Sequence, residues 1–364
     1  MQSKLAERKN KTMKNIQKPQ SFLGMAVLLT AFVFSGYVFA AKKTDSPLSF
    51  ADNRHCVFAG QEAVFSLVYD AGDSSRRPTQ LQAHLRVNRR NAARGKANLK
   101  PDQNGMMSGK LHIEIPPVKE GVVMPATLEV VIPTDKADNA NDISSERKLY
   151  IFHPDPFSSR QVWLKKRKLR LFDPVGKTAE CLESANIPHE LIHNKARIDD
   201  LIDGVLIIGA GISLNKQRGL LENARTAAEN GADVMFLGIK EGQTDLPGIT
   251  GARQGHPERV ILRGNDVVKA FNKKLDVLAS SADAERRSHD LIINAERGNI
   301  LGSFTGERSE DNKSWSWFMA EYENGGRFAI SGLPLVENWK TSPVPRYFLL
   351  EILKDWEETG TVTD

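Results

Sequence analysis

The hydrophobic pattern of this chain changes its period once, between about residues 157 and 168. Before that point, short segments alternate apolar and polar residues. After it, continuous apolar segments are separated by stretches with apolar residues at helical spacing. Alternation indicates strands with one face in water, whereas continuous apolar strands indicate a parallel sheet that helices cover on both sides. The sequence therefore predicts an all-β part followed by an α/β part.

The first part contains segments with period-two alternation, among them AVFSLVY, LQAHLRV, KLHIEIP, ATLEVVIP and KLYIFHP. Turn-forming residues separate them, including Asn104-Gly105 and Pro116-Pro117. Several short strands at such spacing, over roughly 100 residues, are typical of an immunoglobulin-like β-sandwich. We therefore predict an all-β domain of that type over residues 42–157.

The second part follows a basic connector, which is predicted to be a linker over residues 158–167. Buried strands are predicted for KLRLFDP, GVLIIGAG and ADVMFLG, and amphipathic helices for KTAECLESANI and NKQRGLLENARTAAENG. PVPRYFLLEILKDWEE is predicted to be a closing helix. Because strands alternate with helices, we expect a mainly parallel sheet in an α/β domain over residues 168–357, with a tail at 358–364.

Residues 168–357 resemble class I glutamine amidotransferase-like domains, in particular the degenerate kind found in bacterial secreted carbohydrate-active proteins. The likeness is carried by LFDPVGKTAECLESANIPHELI, DGVLIIGAG, ENGADVMFLGIKEGQ, GGRFAISGLP and RYFLLEIL. A β-sandwich that leads through FHPDPF into such a domain is also similar to those proteins. The resemblance implies a flavodoxin-like three-layer sandwich, and a context of carbohydrate processing or the cell envelope.

The segment Gly238-Ile239-Lys240-Glu241-Gly242 lies where active amidotransferases of this fold carry Gly-x-Cys-x-Gly. In those enzymes the glycines form a strained strand-to-helix turn that presents a cysteine thiolate as the nucleophile. Lys240 occupies the cysteine position, and an amine cannot form the thioester through which glutamine is hydrolysed. The resemblance therefore implies a pseudoenzyme. The alternative is that Gly238 and Gly242 begin an ordinary surface loop.

Candidate ligand-binding residues follow the predicted strands at the carboxyl edge of the sheet, where α/β folds bind ligands. They are Asp173, Gly209, Gly211 and Lys240, with Glu241 beside them. The two glycines could place a phosphate at a helix N-terminus, although the third glycine of the dinucleotide-binding fingerprint is absent. In the alternative interpretation, Asp173 caps the turn that starts at Pro174.

His256 and Glu258 belong to a His-Pro-Glu string, which completes the catalytic triad in amidotransferases. In that family the string lies near the last strands, whereas here His256 follows Lys240 by only 16 residues. Chance is the preferred explanation because the position does not fit. The candidate catalytic residues are therefore Asp173, Lys240, Glu241, His256 and Glu258, with no confident member.

Two other features could bind a ligand. A basic run without any acidic residue could bind an anionic polysaccharide or a membrane surface, or could be a solvated loop; it comprises Arg86, Arg89, Arg90, Arg94, Lys96 and Lys100. Trp315 and Trp317 are predicted on one strand face, where they could stack on a sugar or pack in the core. Histidine and cysteine spacings indicate no metal site, and no cofactor is expected.

Residues 1–41 have the pattern of a targeting segment. Six basic residues flank an uncharged apolar stretch, Phe22–Ala41, which ends in a small-residue cleavage pattern. This pattern predicts a signal peptide, or a membrane anchor through residues 22–41 if it is not cleaved. Without this segment the chain has as many basic as acidic residues, so its overall charge is no argument for nucleic-acid binding.

These observations predict an exported protein, periplasmic or extracellular, that binds or scaffolds without catalysis. Its expected partner is a carbohydrate or a protein of the cell envelope. Whether it is an enzyme is left open, although Lys240 in place of a cysteine favours a non-enzyme. The alternative function is a hydrolase with its site at the carboxyl edge of the α/β sheet.

Overall fold

A computed structural model of the protein describes residues 46–70, 78–101, 106–133, 142–246, 257–264, 266–276, 290–296, 299–305 and 314–358. The residues described from Ser46 onwards belong to one compact unit. The predicted targeting segment, residues 1–41, lies outside the described residues. None of the helices in the described ranges is long and apolar enough to cross a membrane.

The strands in chain order are β1 (Leu48–Phe50), β2 (Cys56–Phe58), β3 (Glu62–Tyr69), β4 (Gln80–Val87), β5 (Arg90–Asn98), β6 (Lys100–Pro101), β7 (Met107–Glu114), β8 (Val123–Ile132), β9 (Ile143–Phe152), β10 (Leu169–Phe172), β11 (Glu190–Leu191), β12 (Val205–Ile208), β13 (Ile212–Ser213), β14 (Asp233–Phe236), β15 (Ile239–Leu246), β16 (Arg259–Arg263), β17 (Asp290–Glu296), β18 (Asn299–Thr305), β19 (Ser314–Trp315), β20 (Trp317–Glu321) and β21 (Arg327–Ser331). The helices are α1 (Gln161–Lys166), α2 (Lys177–Ser184), α3 (Leu220–Glu229), α4 (Val267–Phe271) and α5 (Val344–Glu358).

The first nine strands form two sheets around one hydrophobic core. The four-stranded sheet has the order β1-β3-β7-β6, and the five-stranded sheet has the order β2-β9-β8-β4-β5. The inward positions alternate along each strand, so Phe65 and Leu111 of the first sheet meet Leu85, Leu128 and Leu149 of the second. The outward positions of β4 are polar, as are Thr127 and Glu129 of β8 and Glu146 and Lys148 of β9, and these side chains face away from this core.

A tight turn joins β4 to β5 at one end of the five-stranded sheet. Its residues Asn88 and Arg89 both have positive φ, at 49° and 65°. Two consecutive left-handed residues match the twist of a hairpin, as in type I′ turns. At the far end, β5 passes into β6 of the other sheet. Gly95 permits the crossing, because a Cβ there would lie 2.9 Å from the His112 carbonyl oxygen.

The seven-stranded sheet lies at the centre of the remaining chain, in the order β11-β10-β12-β14-β21-β20-β16. Its first five strands are parallel, and β20 and β16 are antiparallel to their neighbours. Both faces are covered, since Ile207 and Met235 enter one core while Ile208 and Phe236 enter another. This explains why the central strands are continuously apolar. A further five-stranded sheet has the order β13-β15-β18-β17-β19.

The predicted fold class, an all-β immunoglobulin-like sandwich followed by a flavodoxin-like α/β domain, is wrong. The described chain is a mixed α/β unit whose sheets have mixed strand directions. The β20–β21 hairpin and β16 add antiparallel pairs to the central sheet, and β15, β17, β18 and β19 form antiparallel pairs in the other. Local periodicity predicts strands but does not specify which strands pair or in which direction. The predicted boundaries at 157, 168 and 357 stay predictions.

Packing between the first nine strands and helix α5 joins the two parts of the chain. Cys56, Phe152 and Phe157 belong to the same buried cluster as Phe348 and Trp356. The rings of Phe152 and Tyr347 lie 4.7 Å apart, and the Tyr347 hydroxyl donates a 3.0 Å hydrogen bond to the His153 carbonyl oxygen. Cys56 and Cys181 are free thiols, both buried in this cluster.

We predict that Gly326→Ala strongly destabilises the protein. A Cβ at Gly326 would lie 2.0 Å from the Ala228 carbonyl oxygen and 2.9 Å from that of Ala232, so α3 would have to move away from β21. Overpacking of this kind costs about 2 kcal/mol. The free energy of unfolding, measured by urea denaturation, should fall by that amount or more. Gly264→Ala is the control, because its Cβ would meet nothing closer than 3.5 Å.

Glu120 predicts a pH dependence of stability. Hydrogen bonds from Ser159 and Ser158 lower the pKa of the Glu120 carboxyl from 4.5 to about 2. A carboxyl whose pKa is lowered in the folded state stabilises the fold above pH 4.5, and this contribution is lost as the pH falls towards 2. Glu120→Gln should therefore lower the melting temperature at neutral pH and match the wild type near pH 2. The exposed Gln80→Ala, which removes no ionisable group, should leave the pH dependence of the wild type unchanged.

Candidate functional site

Asp173 lies at the carboxyl end of β10 and caps helix α2. Its Oδ2 accepts hydrogen bonds from the backbone N–H groups of Thr178 (2.7 Å) and Ala179 (2.9 Å), and its Oδ1 accepts one from Val175 (3.3 Å). The carboxylate thereby satisfies N–H groups that the first turn of α2 cannot satisfy itself. This arrangement corresponds to the capping interpretation of Asp173.

The turn after β12 is closed around the same carboxylate. A Cβ at Gly209 would lie 2.5 Å from Asp173 Oδ1, so only glycine leaves room for the cap. The N–H groups of three successive residues all donate inside the protein: Gly209 to the Phe172 carbonyl oxygen, Ala210 to Thr178 Oγ1 and Gly211 to the Gly238 carbonyl oxygen, at 2.8–2.9 Å. These groups are therefore already used and do not form a free anion-binding cradle.

Lys240 and Glu241 lie on strand β15 and are exposed. Glu241 accepts a 2.6 Å hydrogen bond from Ser213 Oγ, and its carbonyl oxygen accepts one from the Leu214 N–H. A nucleophile elbow requires a helix after the turn, whereas here Gly238 leads directly into a strand. The structural context of an elbow is therefore missing around Lys240.

Within the described residues, the structure does not bring the candidate catalytic residues into one site. Glu258 precedes β16 and donates its N–H to the Glu321 carbonyl oxygen. Because β16 is antiparallel to β20 and β20 is antiparallel to β21, Glu258 lies at the amino edge of the central sheet, opposite the edge of Asp173. In the described ranges, no hydrogen bond or ion pair joins Asp173 to Lys240 or Glu241. His256 lies outside the described residues.

The two tryptophans also separate. Ser316 interrupts the strand, so Trp315 pairs in one sheet and Trp317 in another. Trp317 is 1% exposed and packs edge-on against Phe271 and Phe348. Core packing therefore accounts for Trp317. Across the described part of the chain, no group of three His, Cys, Asp or Glu side chains could share a metal ion.

The outer face of the five-stranded sheet carries a concentration of basic side chains. We define the cationic face as Arg86, Arg89, Arg94, Lys96 and Lys148. It arises from alternation, since Leu81, Ala83 and Leu85 of β4 point into the core while the intervening residues point out. Strand pairing sets Arg94 opposite His84 and Lys96 opposite Gln82. Lys100, predicted in the same basic run, instead belongs to the other sheet.

A groove of about 420 Å³ opens at the turn end of this face. Its walls include Arg86, Arg89 and Lys148, together with Glu146, Thr127 and the half-buried Tyr150. Arg86 forms a 2.6 Å ion pair with Glu129, and Arg86 is 43% exposed. Within the described residues, Arg89, Arg94, Lys96 and Lys148 form no ion pair. The face therefore has a positive surplus.

Sequence reasoning identified the arginines of this groove but missed Glu146, Lys148 and Tyr150. Strand β9 brings these residues to the groove through its pairing with β8, about which local sequence says nothing. A signal was present, because alternation in SERKLYIF puts Glu146, Lys148 and Tyr150 on one face. This alternation predicted that the three side chains share one face of β9, but not which strand would lie beside β9.

A second cleft of about 360 Å³ lies between β16, α4 and α5. Several of its charged side chains are already paired within the protein. Arg259 donates to both carboxylate oxygens of Glu321, at 2.6 and 2.7 Å, and Lys354 pairs with Glu351 at 3.3 Å. Paired charges leave few groups for a ligand, so this cleft is a weaker candidate than the groove on the cationic face.

Comparison with known proteins identifies no relative. No protein-family model matches the chain. No curated protein matches it significantly. Matches among solved structures include Plasmodium falciparum protein Pf12p, with 10% identity and a TM-score of 0.16 over 76% of this chain and 90% of that one.

Two further matches are EndoBT-3987 of Bacteroides thetaiotaomicron with a Man5GlcNAc product, and a family 123 glycoside hydrolase from Clostridium perfringens. The first has a TM-score of 0.19 over 52% of this chain and 53% of that one; the second has 0.17 over 51% and 34%, and both are 10% identical. TM-scores below 0.2 are far from those of a shared fold, so these likenesses support neither a fold nor a function. The resemblance to amidotransferases stays a prediction.

We predict that Asp173 and Gly209 act as one structural unit. Asp173→Ala should lower the free energy of unfolding by about 1–2 kcal/mol, as loss of a helix cap does. Gly209→Ala should also destabilise, because its Cβ would collide with the carboxylate. The double variant lacks the two shortest of these contacts, with Oδ1 at 2.5 Å and Cγ at 2.6 Å, and keeps only the 2.9 Å contact with the Cβ of residue 173. The two losses should therefore sum to more than the measured effect. Additive losses in urea denaturation would contradict the coupling.

Asp200→Ala is the control for this cycle, because Asp200 is exposed and forms no hydrogen bond or ion pair within the described chain. It should change the free energy of unfolding by less than about 0.5 kcal/mol.

Proposed function

We propose that this chain is an exported, non-catalytic protein that binds carbohydrate through the groove of the cationic face. The observation that carries the proposal is the composition of the groove. Arg89, Lys148, Glu146 and Thr127 supply donors and acceptors for hydroxyl groups, and Tyr150 supplies an aromatic surface beside them. Sugars need both, because their rings have an apolar face surrounded by hydroxyl groups.

The proposal of a non-catalytic role is supported by what the predicted catalytic residues do. Asp173 is occupied by a helix cap, and Glu241 bonds Ser213. Hydrolysis of a glycosidic bond uses two carboxyl groups on opposite sides of it, in a cleft. The groove has one carboxylate, Glu146, among its lining residues. No observation on the described residues favours the alternative hydrolase at the carboxyl edge.

Export is the second half of the proposal and rests on the targeting pattern of residues 1–41. Cleavage would release the protein outside the cytoplasm, whereas an uncleaved segment at residues 22–41 would hold it in the membrane. In either case the partner would be a carbohydrate, or a protein that carries or processes one, in the cell envelope.

The protein, purified after expression of the full chain, should bind a subset of glycans on an array. Lys148→Ala removes a cation from the wall of the groove and should weaken that binding about fivefold, as expected for one hydrogen bond to a charged group. Isothermal titration against the best glycan measures the change. Lys110→Ala is the matched control, because Lys110 is an exposed strand residue on the other sheet.

Lys110→Ala should leave the affinity unchanged. Equal weakening by both variants would place the binding surface elsewhere. Absence of any glycan binding by a folded protein would refute the proposed function.

A further inference from the structure

The basic residues of the cationic face continue beyond the groove. Strand register places Lys148 and Arg86 in one cross-strand row, both opposite Thr127. Arg94 lies in a second row, opposite His84, and Lys96 in a third, opposite Gln82. Alternate residues along a strand are about 7 Å apart, so the charges are spaced at about that interval from the groove along β5.

Most of these charges have no partner in the described chain. Arg94, Lys96 and Lys148 are exposed and form no ion pair there. Among the described strand residues, the acidic side chains of this face are Glu129 and Glu146, which lie in the row of Arg94 and His84; Glu129 is already paired with Arg86. Exposed like charges repel one another, and a polyanion that neutralises them gains affinity by releasing its counterions. A neutral sugar would make no use of this arrangement.

We infer that the ligand is an acidic polysaccharide, with one sugar in the groove and its following anionic units on Arg94 and Lys96. This inference rests on the proposed function and names its substrate class. Guanidinium groups pair with carboxylate or sulfate oxygens through two parallel hydrogen bonds, and lysine ammonium groups act as point charges. The linear order of the cations fits a chain that carries an anion on successive units.

One feature of the face favours a polysaccharide over an anionic membrane. Membrane-bound surfaces insert apolar side chains below the headgroups. The exposed large apolar residues of the described chain are Val122, Val162, Val175, Leu191 and Ile202, and none lies on a strand of this sheet.

The test compares polygalacturonate, dextran sulfate and neutral dextran as probes in affinity electrophoresis, with phosphatidylglycerol vesicles in a sedimentation assay. The full-length protein should bind at least one acidic polymer, and the affinity should fall about tenfold or more between 50 and 200 mM salt because counterion release drives binding. Polygalacturonate and dextran sulfate distinguish a carboxylate from a sulfate ligand.

Arg94→Ser with Lys96→Ser should weaken binding of the acidic polymer about tenfold and reduce its salt dependence. Lys110→Ser, on the other sheet, should change neither. Circular dichroism confirms that each variant is folded.

The outcomes separate this inference from the proposed function. Binding of neutral glycans on the array, with no salt dependence and no effect of the double variant, would overturn the acidic ligand and leave carbohydrate binding intact. Binding of vesicles without binding of either acidic polymer would overturn the inference in favour of a membrane surface. No binding to any glycan would refute the proposed function itself.

Discussion

One hydrophobic cluster joins the two halves of the described structure. Phe152, the last residue of β9, and Phe157 pack in the same cluster as Phe348 of helix α5. A hydrogen bond at its border, from the Tyr347 hydroxyl to the His153 carbonyl oxygen, also joins the two halves. Burial of apolar surface is the largest favourable term in folding, so this core ties the stability of the β part to that of the central sheet.

Hydrogen bonding within the protein explains why the carboxyl edge of the central sheet shows no evident catalytic or ligand-binding site. Each N–H of the turn after β12 donates to an acceptor inside the protein, and the Asp173 carboxylate accepts hydrogen bonds from the start of α2. A ligand site needs groups that the fold leaves free. Part of the outer face of the five-stranded sheet meets this condition, because Arg94, Lys96 and Lys148 project from it without an ion pair in the described chain. At the end of β9, by contrast, Tyr150 and Phe152 pack against the cluster that contains α5.

The groove on that face results from pairing between distant segments. Arg86 and Arg89 come from the β4–β5 hairpin, whereas Lys148 and Tyr150 come from β9, which reaches them through β8. The tight turn at Asn88 and Arg89 ends the hairpin at the groove, and an ion pair with Glu129 holds Arg86. The proposed binding surface is therefore built on paired strands, and its charged side chains are exposed.

The sequence alone determined several of the strands, such as β4 and β12, and the buried side chains on them, since both follow from local periodicity. It did not indicate β5 or β15. Leu81 and Leu85 were identifiable as core positions, and Arg86 as an outward one, because side chains alternate along a strand. The tertiary structure decided the direction of β16 and β20, the packing of Phe152 and Phe348 in one cluster, and the separation of Asp173 from Glu258. It also decided that Lys148 lies in the same cross-strand row as Arg86. These depend on contacts between residues far apart in the chain, which local propensity does not encode.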